Sequence, residues 1–581
     1  MRLRVLVALS IWVLGLGGLA AAQTPTSTPD PPALRPPTRA DILRGEYSRY
    51  RANNDLRHYT LDVRVDPDRT FLLGVNRIRF RMLRDDTQIQ VDLYANLSVD
   101  RVLLGARPLQ YTREGNAVFV EFPETLRAGQ DYAIEFHYSG TPIETGRFGG
   151  IAFRKDPQGN HWINTACEGE GSSIWWPSKD QWRDEPDEGM DLRVAIPNDL
   201  VDVSNGRFVG KTDLGDGYTR WDWRIHYPIN SYNVSLNIGN YVHFAEQMGE
   251  LTLDYFVLPA NIENAKRQFA QAKPMLEIYQ DVFGEYPFAK DGFKLIEVPY
   301  SGMEHQSAVT YGNRWANGYL GRDWTGVGVS LKFDFIIIHE SAHEWFGNAV
   351  SAADVSDMWI QEGWATYLEV IYVERLFGAG DAIKYVNGLK DKVRNTAPII
   401  TQRGIHRSPP ADQYFKGALF LHTLRSIVDD DVKWWATLRD VYQKFKYQNI
   451  MTEELVAFMN ARLDMNLTPI VDQYLWHAAI PTLELAFDTE EKTVAYRWRA
   501  EERDFAMPIR VGVPGEWQTI QATTDWKVMP NDLPQEQFQV ATELYYVNVV
   551  KTGIPVEPPR TAGRRASSAF ASPIAPPFFR F

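Results

Sequence analysis

Cysteine is nearly absent from this 581-residue chain: Cys167 is the only one. That excludes a disulfide framework and any zinc or iron–sulfur site built from several thiolates. Positive charge is also short. Lys and Arg number 61 against 74 Asp and Glu, a formal net charge of -13. A general nucleic-acid binder needs a basic footprint against phosphate, so that class is set aside. Long apolar runs are scarce too, and the only marked one lies at the amino terminus. What remains is ample core material. Hydrophobic residues make up 44% of the chain, which excludes a disordered or fibrous protein. At roughly 100–200 residues per domain, the length predicts about three or four domains.

Residues 1–22 read as an export signal. Arg2 and Arg4 form a positive start, Val5 to Leu19 is apolar, and Ala20, Ala21 and Ala22 offer small residues for cleavage. The alternative is a membrane anchor, for which the run is short and thinned by Gly15, Gly17 and Gly18. No stable membrane insertion is expected after cleavage. An exported chain with one cysteine fits a bacterial periplasmic or secreted protein. Residues 23–45, rich at first in Thr, Ser and Pro, read as a flexible leader.

Beyond the leader, hydrophobic periodicity changes twice. Residues 46–250 alternate with period two, as in His58–Val65, Val75–Met82, Ala117–Phe122 and Tyr132–Tyr138, and predict a large antiparallel β domain. The acidic stretch Asp184–Glu188 reads as a solvated loop. Residues 251–480 are mixed and mainly helical. Helical spacing covers Ile262–Phe283, Leu331–Val350, Trp359–Phe377, Lys416–Val428, Lys433–Lys446 and Glu453–Leu463, with a strand at Leu295–Pro299. Alternation returns over 481–552, predicting a small β domain that ends with Tyr545–Val550. Residues 553–581, rich in Pro, Ala, Ser and Arg, read as a disordered tail.

The chemistry concentrates at His339-Glu340-Ser341-Ala342-His343. Residues four apart share one helix face, so His339 and His343 can offer two imidazoles to one zinc ion with Glu340 beside them as general base. Glu362 lies nineteen residues after His343, at the start of the next helical pattern, and can close the ligand set. Two histidines and a glutamate leave a fourth position for water, whose pKa zinc lowers to about 7. With 11 histidines in the chain, a chance H-E-x-x-H is expected in about one such sequence per hundred. Glu369, two turns beyond Glu362, is placed to orient a zinc-bound imidazole. The other histidines, such as His58, His226, His422 and His477, show no ligand spacing. Cys167 reads as a small buried residue.

Four further segments carry a resemblance. Glu362 stands in Trp359-Ile-Gln-Glu-Gly-Trp-Ala-Thr-Tyr-Leu-Glu369, and His343 is followed by Glu344-Trp-Phe-Gly-Asn348. Ser301-Gly302-Met303-Glu304-His305 is similar to a Gly-Ala-Met-Glu-Asn exopeptidase motif, and Tyr414-Phe415-Lys416-Gly417-Ala418 to a Tyr-x-Lys-Gly-Ala segment. Together they resemble the zinc metallopeptidases that include aminopeptidase N and leukotriene-A hydrolase, the gluzincins with H-E-x-x-H-x18-E. Thr165–Glu168 stands, more loosely, where that family has Thr-Gln-x-Glu; Ala166 replaces the Gln.

The resemblance implies a multidomain α+β fold: an N-terminal β saddle domain, a thermolysin-like mainly helical catalytic domain and a small C-terminal β-sandwich. It implies one Zn2+ per chain on His339, His343 and Glu362, with Glu340 as base and Tyr414 as donor to the oxyanion. Glu304 and Glu168 would bind the substrate's free amine, and Gly302 and Met303 its backbone. His305 departs from the family's Asn and puts the backbone contacts in question. The expected activity is removal of N-terminal residues from peptides with a free N-terminus. An endopeptidase, an epoxide hydrolase and an inactive peptide-binding protein on the same fold are the alternatives.

Overall fold

The computed structural model describes residues 36–146 and 148–553. The expected export signal, most of the leader and the tail from residue 554 lie outside the described residues. The end of the expected leader is not featureless. Arg39–Gly45 is a helix with a capping box, in which Thr38 and Asp41 satisfy each other's backbone N–H groups.

The first large element is an eight-stranded sheet. Its order is Arg207–Asp213, Tyr218–Ile225, Met190–Pro197, Asn54–Asp66, Phe71–Met82, Asp131–Gly140, Leu97–Leu104 and Arg107–Pro108. Leu61, Val63 and Val65 are fully buried and alternate with more exposed residues, as a half-buried strand requires. One pairing corrects the antiparallel expectation: Asn54–Asp66 runs parallel to Met190–Pro197. A four-stranded sheet follows, in the order Val201–Ser204, Leu236–Gly239, β1 (His161–Ala166) and Gly150–Lys155. β1 delivers the chain to Glu168. The stretch Asp184–Glu188 is also corrected. Lys179 Nζ donates to Asp184, and Glu185 is buried and accepts from Asn449. Asp184 and Glu185 thus anchor the sheet region to the segment near residue 449, while Asp187 and Glu188 are exposed as expected.

A five-stranded sheet forms the floor of the site. Its order is Val242–Met248, Leu251–Val257, β2 (Phe293–Glu297), β4 (Val309–Tyr311) and, at the edge, β3 (Gly302–Met303). The expected boundary at residue 250 falls in the turn of the hairpin formed by the first two strands.

The expected helix over Ile262–Phe283 is two helices, Ile262–Phe269 and Ala272–Phe283. The expected helix over Leu331–Val350 is only α1 (Phe335–Ala342). Its start is fixed by Asp334, whose side chain accepts from the N–H groups of Ile336 and Ile337. Its end is followed by Gly347 at φ 129°, and Val350–Ala352 then leaves to pair with Gln448–Ile450. α2 spans Trp359–Phe377 as expected, and residues 359–373 are buried on every side, which suits a central helix. α3 spans Asp412–Val428.

The last segment forms two small sheets, of four and three strands, from Thr482 to Gly553. Its final strand is Asn548–Gly553, shifted from the expected Tyr545–Val550; Tyr545 and Tyr546 are instead buried short of it.

Candidate metal centre

α1 presents His339 to the interior, and His343 follows as its C-terminal cap with helical backbone angles. The i, i+4 relation therefore survives the early helix end. His339 Nε2 and His343 Nε2 lie 3.4 Å apart. Glu362 Oε2 lies 3.4 Å from the first and 3.3 Å from the second. That oxygen is buried and has no hydrogen-bond partner. Two ligand atoms about 2.0–2.1 Å from one tetrahedral ion stand about 3.4 Å apart. The residues present thus fit a zinc ion, and the orphaned oxygen is accounted for by one.

The other ring nitrogens are held so that Nε2 faces the centre. His339 Nδ1 donates to Glu369 Oε1 at 2.6 Å, and Tyr385 OH donates to Glu369 Oε2 at 2.5 Å. His343 Nδ1 donates to the carbonyl of Phe346 at 3.0 Å. A donating Nδ1 leaves the Nε2 lone pair free for a metal. Burial alone would raise Glu362, but His343 and His339 outweigh it and keep its carboxyl low.

Glu340 is one residue from His339 and buried. Burial raises its carboxyl to about 7, against the charge of the two imidazoles. Gly302 on the edge strand β3 lies beside it. A Cβ added at Gly302 would stand 2.5 Å from Ile336 Cγ2 and 3.2 Å from Glu340 Cγ. Only glycine lets the backbone approach α1 this closely.

A carboxylate cluster extends from the centre. Glu168, Glu304 and Glu362 bring oxygens within 4.8 Å of one another. Burial raises Glu168 well above its usual range, and the charges of Glu304 and Glu362 add to this. Tyr232 OH donates to Glu304 Oε1 at 2.8 Å, and Asn348 Nδ2 donates to the Glu304 carbonyl at 2.8 Å. Glu344 fixes the following turn by accepting from Ser307 N and Tyr286 OH.

Tyr414 enters from α3. Its ring lies 6.0 Å from that of His339, and burial keeps its hydroxyl protonated. α3 reaches the centre because it crosses α2 at two glycines: a Cβ at Gly417 would stand 2.8 Å from Gly363 Cα. Glu362 and Tyr414 flank that crossing. Lys416 is fully buried and donates to the carbonyls of His477 and Ala478. The cleft so formed encloses about 210 Å³ and adds an aromatic wall of Phe148, Tyr319, Trp324, Phe335 and Phe415.

Every residue singled out from the sequence for this site lines the cleft. His305 does not line it: its side chain is fully buried, and burial pushes the imidazole down to about 3. Tyr232, Asn348 and Tyr385 were missed. Asn348 stood inside the segment after His343, whereas Tyr232 and Tyr385 carry no local signal.

Comparisons with known proteins agree with this geometry. The model of the family described as Peptidase family M1 domain matches residues 267–474. Human endoplasmic reticulum aminopeptidase 1 is 24% identical over 352 residues, covering 57% of this chain and 36% of that protein. The leucyl aminopeptidase of Saccharolobus solfataricus is 22% identical over 387 residues, 62% of this chain and 47% of that protein. The chain therefore spans less than half the length of these curated relatives. Among solved structures, a two-domain M1 zinc metallopeptidase variant bound to L-tryptophan superposes with a TM-score of 0.63 at 20% identity. It is covered over 95% of its length, against 74% of this chain. An M1 zinc metallopeptidase variant from Deinococcus radiodurans, bound to a Tyr-Ser-Ala substrate, gives 0.62 at 21% identity, covering 74% of this chain and 96% of that one. Residues 267–474, which hold His339, His343 and Glu362, are thus similar to a peptidase family M1 domain.

Proposed function

We propose that this chain is an exported zinc aminopeptidase that removes the N-terminal residue of peptides. The observation that carries the reading is a convergence of more carboxylates than the metal needs. Glu168, Glu304 and Glu362 converge, and no Lys or Arg stands among the described residues lining the cleft. With Glu362 assigned to the metal, the buried Glu304 and the partly exposed Glu168 have no Lys or Arg beside them, and the pair is suited to an ammonium brought by the ligand. The export part of the proposal rests on the sequence of residues 1–22.

His339, His343 and Glu362 would hold the zinc. When bound, zinc polarises the scissile carbonyl and acidifies a water molecule. Glu168 and Glu304 hold the substrate's amine and so set the distance to the first peptide bond. A Glu340 carboxylate oxygen takes the proton from the attacking water and passes it to the leaving nitrogen. The Tyr414 hydroxyl donates to the carbonyl oxygen as negative charge grows on it. The backbone of Gly302 and Met303 aligns the peptide along the sheet edge.

The test compares a peptide with its N-acetylated twin, with and without a chelator. Cleavage of the free peptide alone, abolished by chelation, is expected. Equal cleavage of both peptides overturns the exopeptidase reading, and cleavage that survives zinc removal overturns the metal reading.

A further inference from the structure

Directly beside the metal cleft lies a second cavity, of about 320 Å³, that no step above uses. Ser301 lines both cavities. The second also takes in Pro299, Tyr300, Gly312, Arg154 and Arg314. Its charges are unequal in one respect. Arg154 is paired with Glu144, whereas the exposed Arg314 has no hydrogen-bond or ion-pair partner among the described residues.

The direction of a bound peptide follows from the edge strand. The amine-binding Glu304 lies at one end of β3, and Gly302, beside Glu340, lies two residues back. A peptide whose amine is at Glu304 and whose first bond is at Gly302 must continue toward Ser301, Tyr300 and Pro299. It runs antiparallel to β3 at about 3.3 Å per residue. The second cavity therefore begins one or two residues after the scissile bond. Arg314 is carried there by β4. Gly302 pairs with Tyr311, Gly312 N donates to Ser301 O at 2.8 Å, and Arg314 follows two residues later. Trp315 holds this turn by packing on Tyr311 and Phe269. Asn164 also lines the cavity, buried, and its side-chain oxygen has no hydrogen-bond partner.

We propose that this cavity is a carboxylate subsite in which Arg314 binds the C-terminal carboxylate of short peptides, so that the preferred substrates are peptides of about three or four residues. The inference rests on the aminopeptidase reading and narrows its substrate class. Arg314 touches the substrate's far end and takes no part in bond cleavage.

The test measures kcat/KM of the zinc-loaded protein on a tripeptide as free acid and as C-terminal amide, and on a hexapeptide pair. The free tripeptide is expected to be favoured by about fivefold, the upper range for a solvent-accessible ion pair. The hexapeptide pair should show no such preference. In Arg314→Gln the acid-to-amide ratio for the tripeptide should fall to near one, and Arg314→Lys should restore part of it. Because the ratio is read within one preparation, a variant that folds poorly still reports it. Equal cleavage of acid and amide by the wild-type protein overturns the subsite and leaves the aminopeptidase reading standing. So does a preference that survives Arg314→Gln or persists in the hexapeptide. Cleavage of neither peptide overturns the aminopeptidase reading and this inference with it.

Discussion

At the residue scale, the site is an exercise in holding lone pairs and protons at fixed atoms. Glu369 accepts from both His339 Nδ1 and Tyr385 OH, so the imidazole is locked with Nε2 toward Glu362. Loss of such a partner weakens metal binding by about 10–100-fold. Glu369→Ala is therefore expected to lose zinc to a competing chelator at correspondingly lower chelator concentration, while the fold persists. Glu340→Gln should behave in the opposite way. It keeps the zinc but loses the proton acceptor, with a fall in kcat of about 10²–10⁴-fold. Metal content and turnover measured on the same sample separate the two outcomes. A Glu340→Gln variant with wild-type turnover would refute the base assignment. This placement was legible because helical spacing brings His339, Glu340 and His343 together whatever surrounds them. Tyr232 was not legible, since only folding brings its hydroxyl from residue 232 to Glu304.

At the element scale, two glycines decide where Glu362 and Tyr414 meet. Gly363 and Gly417 let α2 and α3 cross in backbone contact, and Glu362 and Tyr414 are each within three residues of that crossing. A methyl group at Gly417 would push the helices apart. Gly417→Ala is expected to cost about 1–3 kcal/mol in urea unfolding, as overpacking does, and to lower activity beyond what the lost stability explains. Retention of full activity and stability would show that the crossing tolerates expansion. The Lys-Gly segment announced a recurring pattern in the sequence but not this reason for it. The length of α1 was misread for a related cause. Apolar periodicity continues past Ala342, yet Gly347 adopts a positive φ and a Cβ there would stand 2.8 Å from His343 Nδ1. The strand partner that draws Val350–Ala352 away lies about a hundred residues later in the chain, at Gln448–Ile450.

At the scale of the whole molecule, burial of polar groups between sheets makes stability depend on pH. Asp202 is fully buried; Trp223 Nε1 and Ser204 Oγ donate to its Oδ2, and its Oδ1 has no partner. Burial pushes its carboxyl up to about 8. Between the unfolded value near 4 and about 8, the native state holds a proton that the unfolded chain has released. Stability from this group is therefore present at low pH and lost as pH rises through that window. Asp202→Asn keeps the acceptor and removes the titration. Its Tm relative to wild type is expected to rise between about pH 5 and about pH 9; an unchanged difference would mean that Asp202 is ionised in the native protein.

The sequence by itself determined the candidate metal-ligand set, the two changes of periodicity and the acidic balance. Each depends on residue type and short spacing, which helix and strand geometry convert directly into faces. Only the tertiary structure decided that Tyr232 joins Glu304, that α1 stops at Ala342, that Asp184 and Glu185 are anchors, and that Arg314 lines a second cavity beside the cleft. Those outcomes depend on contacts between distant segments, where close packing and the need to satisfy buried polar groups override local preference.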